Sequence, residues 1–184
     1  MIFSLFDKME QCTEEEVSRL LPSVTAQRRE QALRYRHTFG RFACLKSYEM
    51  LCELTGKKQL VFQYSQHGKP LLQDYPELHF NISHCKNALL VAVDDKPVGA
   101  DVESFRTVSD ALLQRCMNPV EAGTVRDSAC PEEAFASLWT RKEAVLKLRG
   151  TGLTDDLHNV LSGPEKTETH LCRAKHYAYS FASF

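Results

Sequence analysis

The sequence predicts an α+β protein of two lobes, residues 1–98 and 99–184, packed as one unit. Three observations lead there. Helical periodicity gives way to strand patterns in the first half, and the same succession returns in the second. The strand runs between residues 78 and 103 follow one another across short turns, which predicts an antiparallel meander. No stretch rich in Gly, Ser or Pro separates the halves, so they are expected to pack firmly on each other.

Ile2 to Phe6 reads as a first strand. A helix over 13–21 follows, with Thr13 as cap, Glu16 at the capping-box position and Pro22 as stop. Helical spacing runs from Thr25 to about Leu54 and breaks near His37–Gly40. In its second piece Phe42, Leu45, Tyr48 or Glu49, and Cys52 recur at three- and four-residue steps, and Gly56 ends it. Leu60–Tyr64 is a strand, and His67-Gly68-Lys69-Pro70 is a turn whose proline extends Lys69. Strands over 78–84, 88–93 and 98–103 come next, with Asp94-Asp95-Lys96 as a hairpin turn. Helices over 109–117 and from Asn118-Pro119 lead to a long helix over 131–149. Pro131 suits its first position, Glu132 and Glu133 its positive end, and Gly150 its C-terminal cap. Strand-like runs near 157–161, 168–174 and 177–183 complete the chain, with Ser162-Gly163-Pro164 as a turn.

Of the 184 residues, 43% are hydrophobic and 26% charged, an ordinary globular balance. A formal net charge of −1 argues against a globally basic nucleic-acid binder. Between Arg28 and Lys46 lie Arg29, Arg34, Arg36 and Arg41, with Glu30 the only acid among them. Such a surface either holds an anionic ligand or is simply solvated. The seven cysteines are scattered without a CxxC pair, which disfavours a disulfide framework or a zinc site and suits a reducing compartment. The first residues lack the basic segment of a signal peptide, and no apolar run approaches the roughly 20 residues of a membrane span. The expected location is the cytoplasm, without a membrane partner.

Two local patterns carry chemistry. Asp101 and Glu103 stand two apart on a strand, so their side chains share a face. They are either a solvated strand edge or two oxygen ligands for a hard divalent cation. On the long helix, Trp139, Glu143 and Lys147 stack on consecutive turns, with Lys142 beside them. Alone, that Glu–Lys pair is an ordinary surface ion pair. With Asp101 and Glu103, Glu143 becomes a third acid, provided the helix reaches the strand.

Three short motifs then occur in order: Phe80-Asn81-Ile82-Ser83-His84, Val98-Gly99-Ala100-Asp101-Val102-Glu103, and Trp139-Thr140-Arg141-Lys142-Glu143-Ala144 with Lys147 and Gly150. Together they resemble the 4′-phosphopantetheinyl transferases of the surfactin-synthetase-activating type, over roughly residues 25–153. Lys69-Pro70 and an arginine-bearing helix in the first half match as well. Ala100 and Cys85 depart from the family's commoner residues, and the chain is short for the family.

The resemblance implies two similar lobes related by a pseudo-two-fold axis, with the site between them. It implies a monomeric enzyme of holo-[acyl-carrier-protein] synthase type. Such an enzyme moves the 4′-phosphopantetheine arm of coenzyme A onto a serine of an apo acyl or peptidyl carrier protein and releases adenosine 3′,5′-bisphosphate. Asp101, Glu103 and Glu143 are expected to hold Mg2+, with Mn2+ as an alternative. Asp101, Glu143 and Lys147 are the expected catalytic residues, Glu143 as base and Lys147 at the leaving phosphate. Arg41, Lys69, Ser83, His84, Asp101, Lys142 and Lys147 are expected to bind coenzyme A, with Arg28 a further candidate and Trp139 packed beneath. Arg106, Arg115 and the helix bearing Leu112, Leu113 and Met117 either meet the carrier or only pack the second lobe. The rival reading is a coenzyme A or nucleotide-binding module without catalysis.

Overall fold

The computed structural model describes residues 1–152 and 156–184. Residue 153, where the resembling stretch ends, lies outside the described residues. The first half holds β1 (Ile2–Phe6), α1 (Glu14–Leu20), α2 (Ala26–Leu33), α3 (Thr38–Thr55), β2 (Phe62–Tyr64), β3 (Pro70–Leu72), β4 (His79–His84) and β5 (Leu89–Asp94). The second holds β6 (Gly99–Ser104), α4 (Asp110–Cys116), α5 (Pro119–Arg126), α6 (Pro131–Arg149), β7 (Lys166–Cys172) and β8 (Tyr177–Ser183). Among the described residues no helix is long and apolar enough to cross a membrane.

Local chemistry sets the helix ends. The Thr13 hydroxyl accepts from the Glu16 amide, Thr25 caps α2 in the same way, and Asn118 with Glu121 completes a capping box on α5. Gly56 and Gly150 close α3 and α6 in the left-handed conformation, at φ 67° and 71°. The run near 157–161, expected as a strand, is corrected: Val160–Ser162 form a 3₁₀ turn.

The meander also needs correction. β4 and β5 pair antiparallel, but β6 leaves them and pairs with β8 in a second sheet, ordered β6-β8-β7. A strand has two edges, and both edges of β5 are taken, one by β4 and the other by β1. Residues 95–98 therefore connect two sheets and close no hairpin.

Alternation along the strands builds the interior. Leu89, Val91 and Val93 of β5 face a core shared with Phe42, Leu45 and Tyr48 of α3. Leu90 and Ala92 face the other way, onto Ala100 and Val102 of β6 and onto Tyr177 and Phe181 of β8. Because Ala100 and Val102 point into this middle layer, Gly99, Asp101 and Glu103 are left pointing toward α6.

Gly99 makes that approach possible. A Cβ built at this position would lie 1.9 Å from the Ala144 carbonyl oxygen and 2.7 Å from the Leu148 amide. Gly99→Ala is expected to push β6 and α6 apart and cost at least about 1–3 kcal/mol, the usual scale of overpacking. Urea unfolding of the variant checks this, and a midpoint equal to wild type would contradict the contact.

Candidate active site

Four elements meet at the site. β4 brings Ser83 and His84, β6 brings Asp101 and Glu103, α6 brings Trp139, Glu143 and Lys147, and the β2–β3 turn brings Lys69. All except Lys69 line one cavity. A second cavity opens beside it under the His67–Pro70 turn and shares Ile82, Glu143 and Lys147 with the first.

Ser83 ties the three main elements together. Its hydroxyl donates to Asp101 Oδ1 at 2.7 Å, and it accepts from the Val102 amide at 3.2 Å and from Lys147 Nζ at 2.9 Å. A hydroxyl has one donor and two acceptor positions, so all three are engaged. Lys147 Nζ also donates to Asp101 Oδ1 at 2.5 Å. Asp101 is buried, while the Lys147 side chain stays partly open to the cleft at 28% exposed.

The other two acids are less comfortable. Burial pushes the Glu143 carboxyl above the ordinary glutamate range; the charges of Asp101 and Glu103 add to the shift, and Lys147 opposes it. Burial raises Glu103 as well, against the pull of Arg106 and with Asp101 again repelling. Desolvation against the cleft wall lowers the pKa of His84, and the Lys147 ammonium adds to that; its ring sits edge-on to Phe39 at 5.6 Å.

The donor set suits a hard divalent cation, since three carboxylates line one cavity and two of them have pKa values raised by burial first and by neighbouring negative charge next. Among the described residues no three acid, His or Cys side chains converge into a finished ligand sphere. Lys147 stands at Asp101 as the local positive charge.

Several expected ligands go elsewhere. Lys142 is corrected: it is fully buried, its ammonium 2.7 Å from Glu121 of α5 and 2.6 Å from the Leu157 carbonyl. On α6 it points away from the cleft that its neighbour Glu143 faces. Arg41 pairs with Glu14 of α1, its Nε is buried without a hydrogen-bond partner, and it is not among the residues lining these three cavities. The Arg28 guanidinium donates to the Cys44 carbonyl and Ser47 and lies over the Phe62 ring, locking α2 onto α3. Lys69 lines the second cavity, but its amine donates to the Lys147 and Leu148 carbonyls at 2.7 and 3.3 Å. It thereby caps the negative end of α6, and burial lowers its pKa.

Within the basic 28–46 stretch, Arg34 pairs with Glu30 and Lys46 with Glu49. Leu113 and Met117 are buried in the second half's core, with Leu112 partly buried against it, so these residues pack the second half. Arg106 lies over the Phe135 ring at 5.7 Å, and Trp139 stacks on Phe135 at the cavity wall. Two features escaped sequence reasoning: the cross-linking role of Ser83, and Asn81, which shares its face of β4. Strand alternation was the available signal, because it places both residues on one side.

A family model described as the 4′-phosphopantetheinyl transferase superfamily matches residues 97–183. The chain is 29% identical over 150 residues to the 4′-phosphopantetheinyl transferase ffp of Bacillus subtilis, covering 77% of this chain and 67% of that one. It is 30% identical over 147 residues to the 4′-phosphopantetheinyl transferase psf-1 of Bacillus pumilus, covering 76% and 63%. With the 4′-phosphopantetheinyl transferase gsp of Aneurinibacillus migulanus it shares 25% over 179 residues, covering 92% and 74%. The chain spans about two thirds of the length of the first two relatives.

Proposed function

We propose that this chain, which belongs to the 4′-phosphopantetheinyl transferase superfamily, transfers the 4′-phosphopantetheine arm of coenzyme A to a serine of an apo carrier protein. One observation carries the reading: Ser83 and His84, Asp101 and Glu103, and Glu143 and Lys147, from three separate stretches of sequence, line one cavity.

The serine oxygen forms a bond to the phosphorus next to the pantetheine arm. The bond from that phosphorus to the bridging oxygen of the pyrophosphate breaks, and its electron pair leaves with adenosine 3′,5′-bisphosphate. Glu143 takes the serine proton, a role helped by a carboxylate that its surroundings make more basic than usual. Lys147 offsets charge on the leaving phosphate from its place beside Ser83 and Asp101. His84, at the cavity wall, suits a phosphate oxygen. Asp101, Glu103 and Glu143 would hold Mg2+, or Mn2+, which when bound supplies positive charge to the phosphoryl oxygens.

The finer architecture belongs to the same reading. We take residues 1–98 and 99–184 as two lobes related by a pseudo-two-fold axis; α3 over the first sheet and α6 over the second support this. A monomer suffices because the cleft draws on one chain. The free cysteines suit the cytoplasm. The acceptor is an acyl or peptidyl carrier, which makes the enzyme a holo-[acyl-carrier-protein] synthase.

The test is mass spectrometry of a panel of apo carriers from fatty-acid, polyketide and nonribosomal-peptide synthesis, incubated with the protein, coenzyme A and Mg2+. At least one carrier is expected to gain the mass of one phosphopantetheine arm. Coenzyme A binding without a mass gain on any carrier would instead describe a binding module.

A further inference from the structure

We infer that Thr140 and Ser180 are positioning residues for Glu143: their buried hydroxyl pair fixes how far α6 carries that carboxylate toward Asp101 and Glu103. This rests on the transferase reading above.

Thr140 and Ser180 are both fully buried, and their hydroxyl oxygens lie 2.7 Å apart. Thr140 also donates to the Ser137 carbonyl, one turn back on α6, at 3.2 Å. A hydroxyl carries one proton, so that bond uses the proton of Thr140, and Ser180 donates between the two. Thr169 of β7 then donates to Ser180, at 2.8 Å. The chain runs from Thr169 through Ser180 and Thr140 to the Ser137 carbonyl, with every proton placed. It ties β7, β8 and α6 together.

The chain lies one row away from the acids. In the ladders of the second sheet, Ser180 stands directly opposite Asp101 on one side and Thr169 on the other. Residues so paired share a face of the sheet, with Cβ atoms about 5 Å apart. On α6, Thr140, Glu143 and Lys147 follow at steps of three and four and share a face too. Thr140 therefore meets the neighbour of Asp101 one turn before Glu143 reaches the acids. On the far side of Glu143, Lys147 bonds to Asp101 and Ser83. Glu143 thus sits between two polar attachments of its helix to the strands.

The two attachments are unlike. Lys147 is long and partly open to water, so its ammonium can follow a small shift of the helix. Among the described residues the one other side-chain hydrogen bond from α6 to this sheet, Arg141 to Thr167, also comes from a long, partly exposed side chain. The hydroxyls of Thr140 and Ser180 stand two bonds from their Cα atoms, so the length and direction of their bond hold the two backbones in place. Apolar burial draws the helix onto the sheet but has no direction of its own. A buried polar pair that is fully satisfied specifies one arrangement. Neither hydroxyl residue lines the cleft cavities, so both act through Glu143.

Transfer kinetics on wild type, Thr140→Val, Glu143→Gln and the double variant make a double-mutant cycle. Valine keeps the branched shape of threonine, and Ser180 can turn its proton to Thr169, so no buried group is orphaned. The melting temperature of Thr140→Val is expected within about 4 °C of wild type. Its kcat is expected to fall about 10–100-fold, the scale of an ångström-sized misplacement of a catalytic group. In the Glu143→Gln background the same substitution should cost no further activity. Thr140→Ser, which restores the hydroxyl, should keep the wild-type rate. Ser180→Ala breaks the same bond from β8 should Thr140→Val fail to fold. A wild-type kcat in the folded variant would overturn the inference. Equal losses in both backgrounds would overturn it too, since a merely structural residue produces them. A wild-type protein that modifies no carrier would remove the transferase reading itself, and the positioning role with it.

Discussion

Glu143→Gln is expected to slow phosphopantetheine transfer by roughly 10²–10⁴-fold, the range for loss of a positioned general base. The fold should survive, because glutamine keeps the shape of the side chain and removes a charge. Its effect on stability has a definite sign. Glu143 has a raised pKa in the folded protein, through burial first and the neighbouring acids next. A raised carboxyl pKa contributes stability that is fully present below the unfolded value and is lost as pH rises through the folded one. At neutral pH, in protein stripped of divalent cations, the ionised Glu143 therefore works against the fold. Glu143→Gln should melt above wild type there, and the gap should close as pH falls through the raised pKa. Mg2+ should raise the melting temperature of wild type more than that of the variant. A variant with wild-type transfer rates would remove Glu143 from the chemistry.

Lys142→Met is expected to destabilise the protein by about 3–5 kcal/mol, the cost of breaking a buried ion pair from one side. The Glu121 carboxylate would keep the Asn118 amide at 2.9 Å but lose its cation, and the Leu157 carbonyl would lose its donor. For a chain of this length that corresponds to a fall of roughly 6–20 °C in melting temperature. Combining Lys142→Met with Glu121→Leu should recover most of the loss, since it removes both charges together. Equal loss in the single and double variants would mean that the ion pair is not the source. Any drop in activity should follow the folded fraction, because Lys142 faces α5 and not the cleft.

These two neighbours on α6 mark how far a linear reading reaches. Helical spacing placed Glu143 and Lys147 on one face, and strand alternation placed Asp101 and Glu103 on one face. Both follow from backbone geometry within a single element. Lys142 was legible only as a cation beside that face. Its partner comes from α5, some twenty residues earlier in the chain, and no periodicity connects them. The pairing of Arg41 with Glu14 was illegible for the same reason, since Glu14 belongs to another helix. Lys69 was placed at the cleft, but its engagement with the end of α6 depends on a turn and a helix terminus far apart in sequence.

The strand order shows a different limit. Three successive strands suggested a meander, and the first two do pair. The third could not join them, because β1, the first strand of the chain, already occupies the open edge of β5. Edge competition is a property of the whole sheet and leaves no mark within the strand that loses.

By itself, the sequence determined the α-helices and most of the strands, their principal caps, and the shared faces of the three acids and their lysine, since these rest on dihedral preference, capping chemistry and the 2.0 and 3.6 residue periods. Only the tertiary structure decided that β6 would pair with β8, that Gly99 would bring α6 close against β6, and that Thr140 would meet Ser180. Those outcomes depend on which surfaces exclude water from one another, and that is settled by contacts between residues distant in the chain.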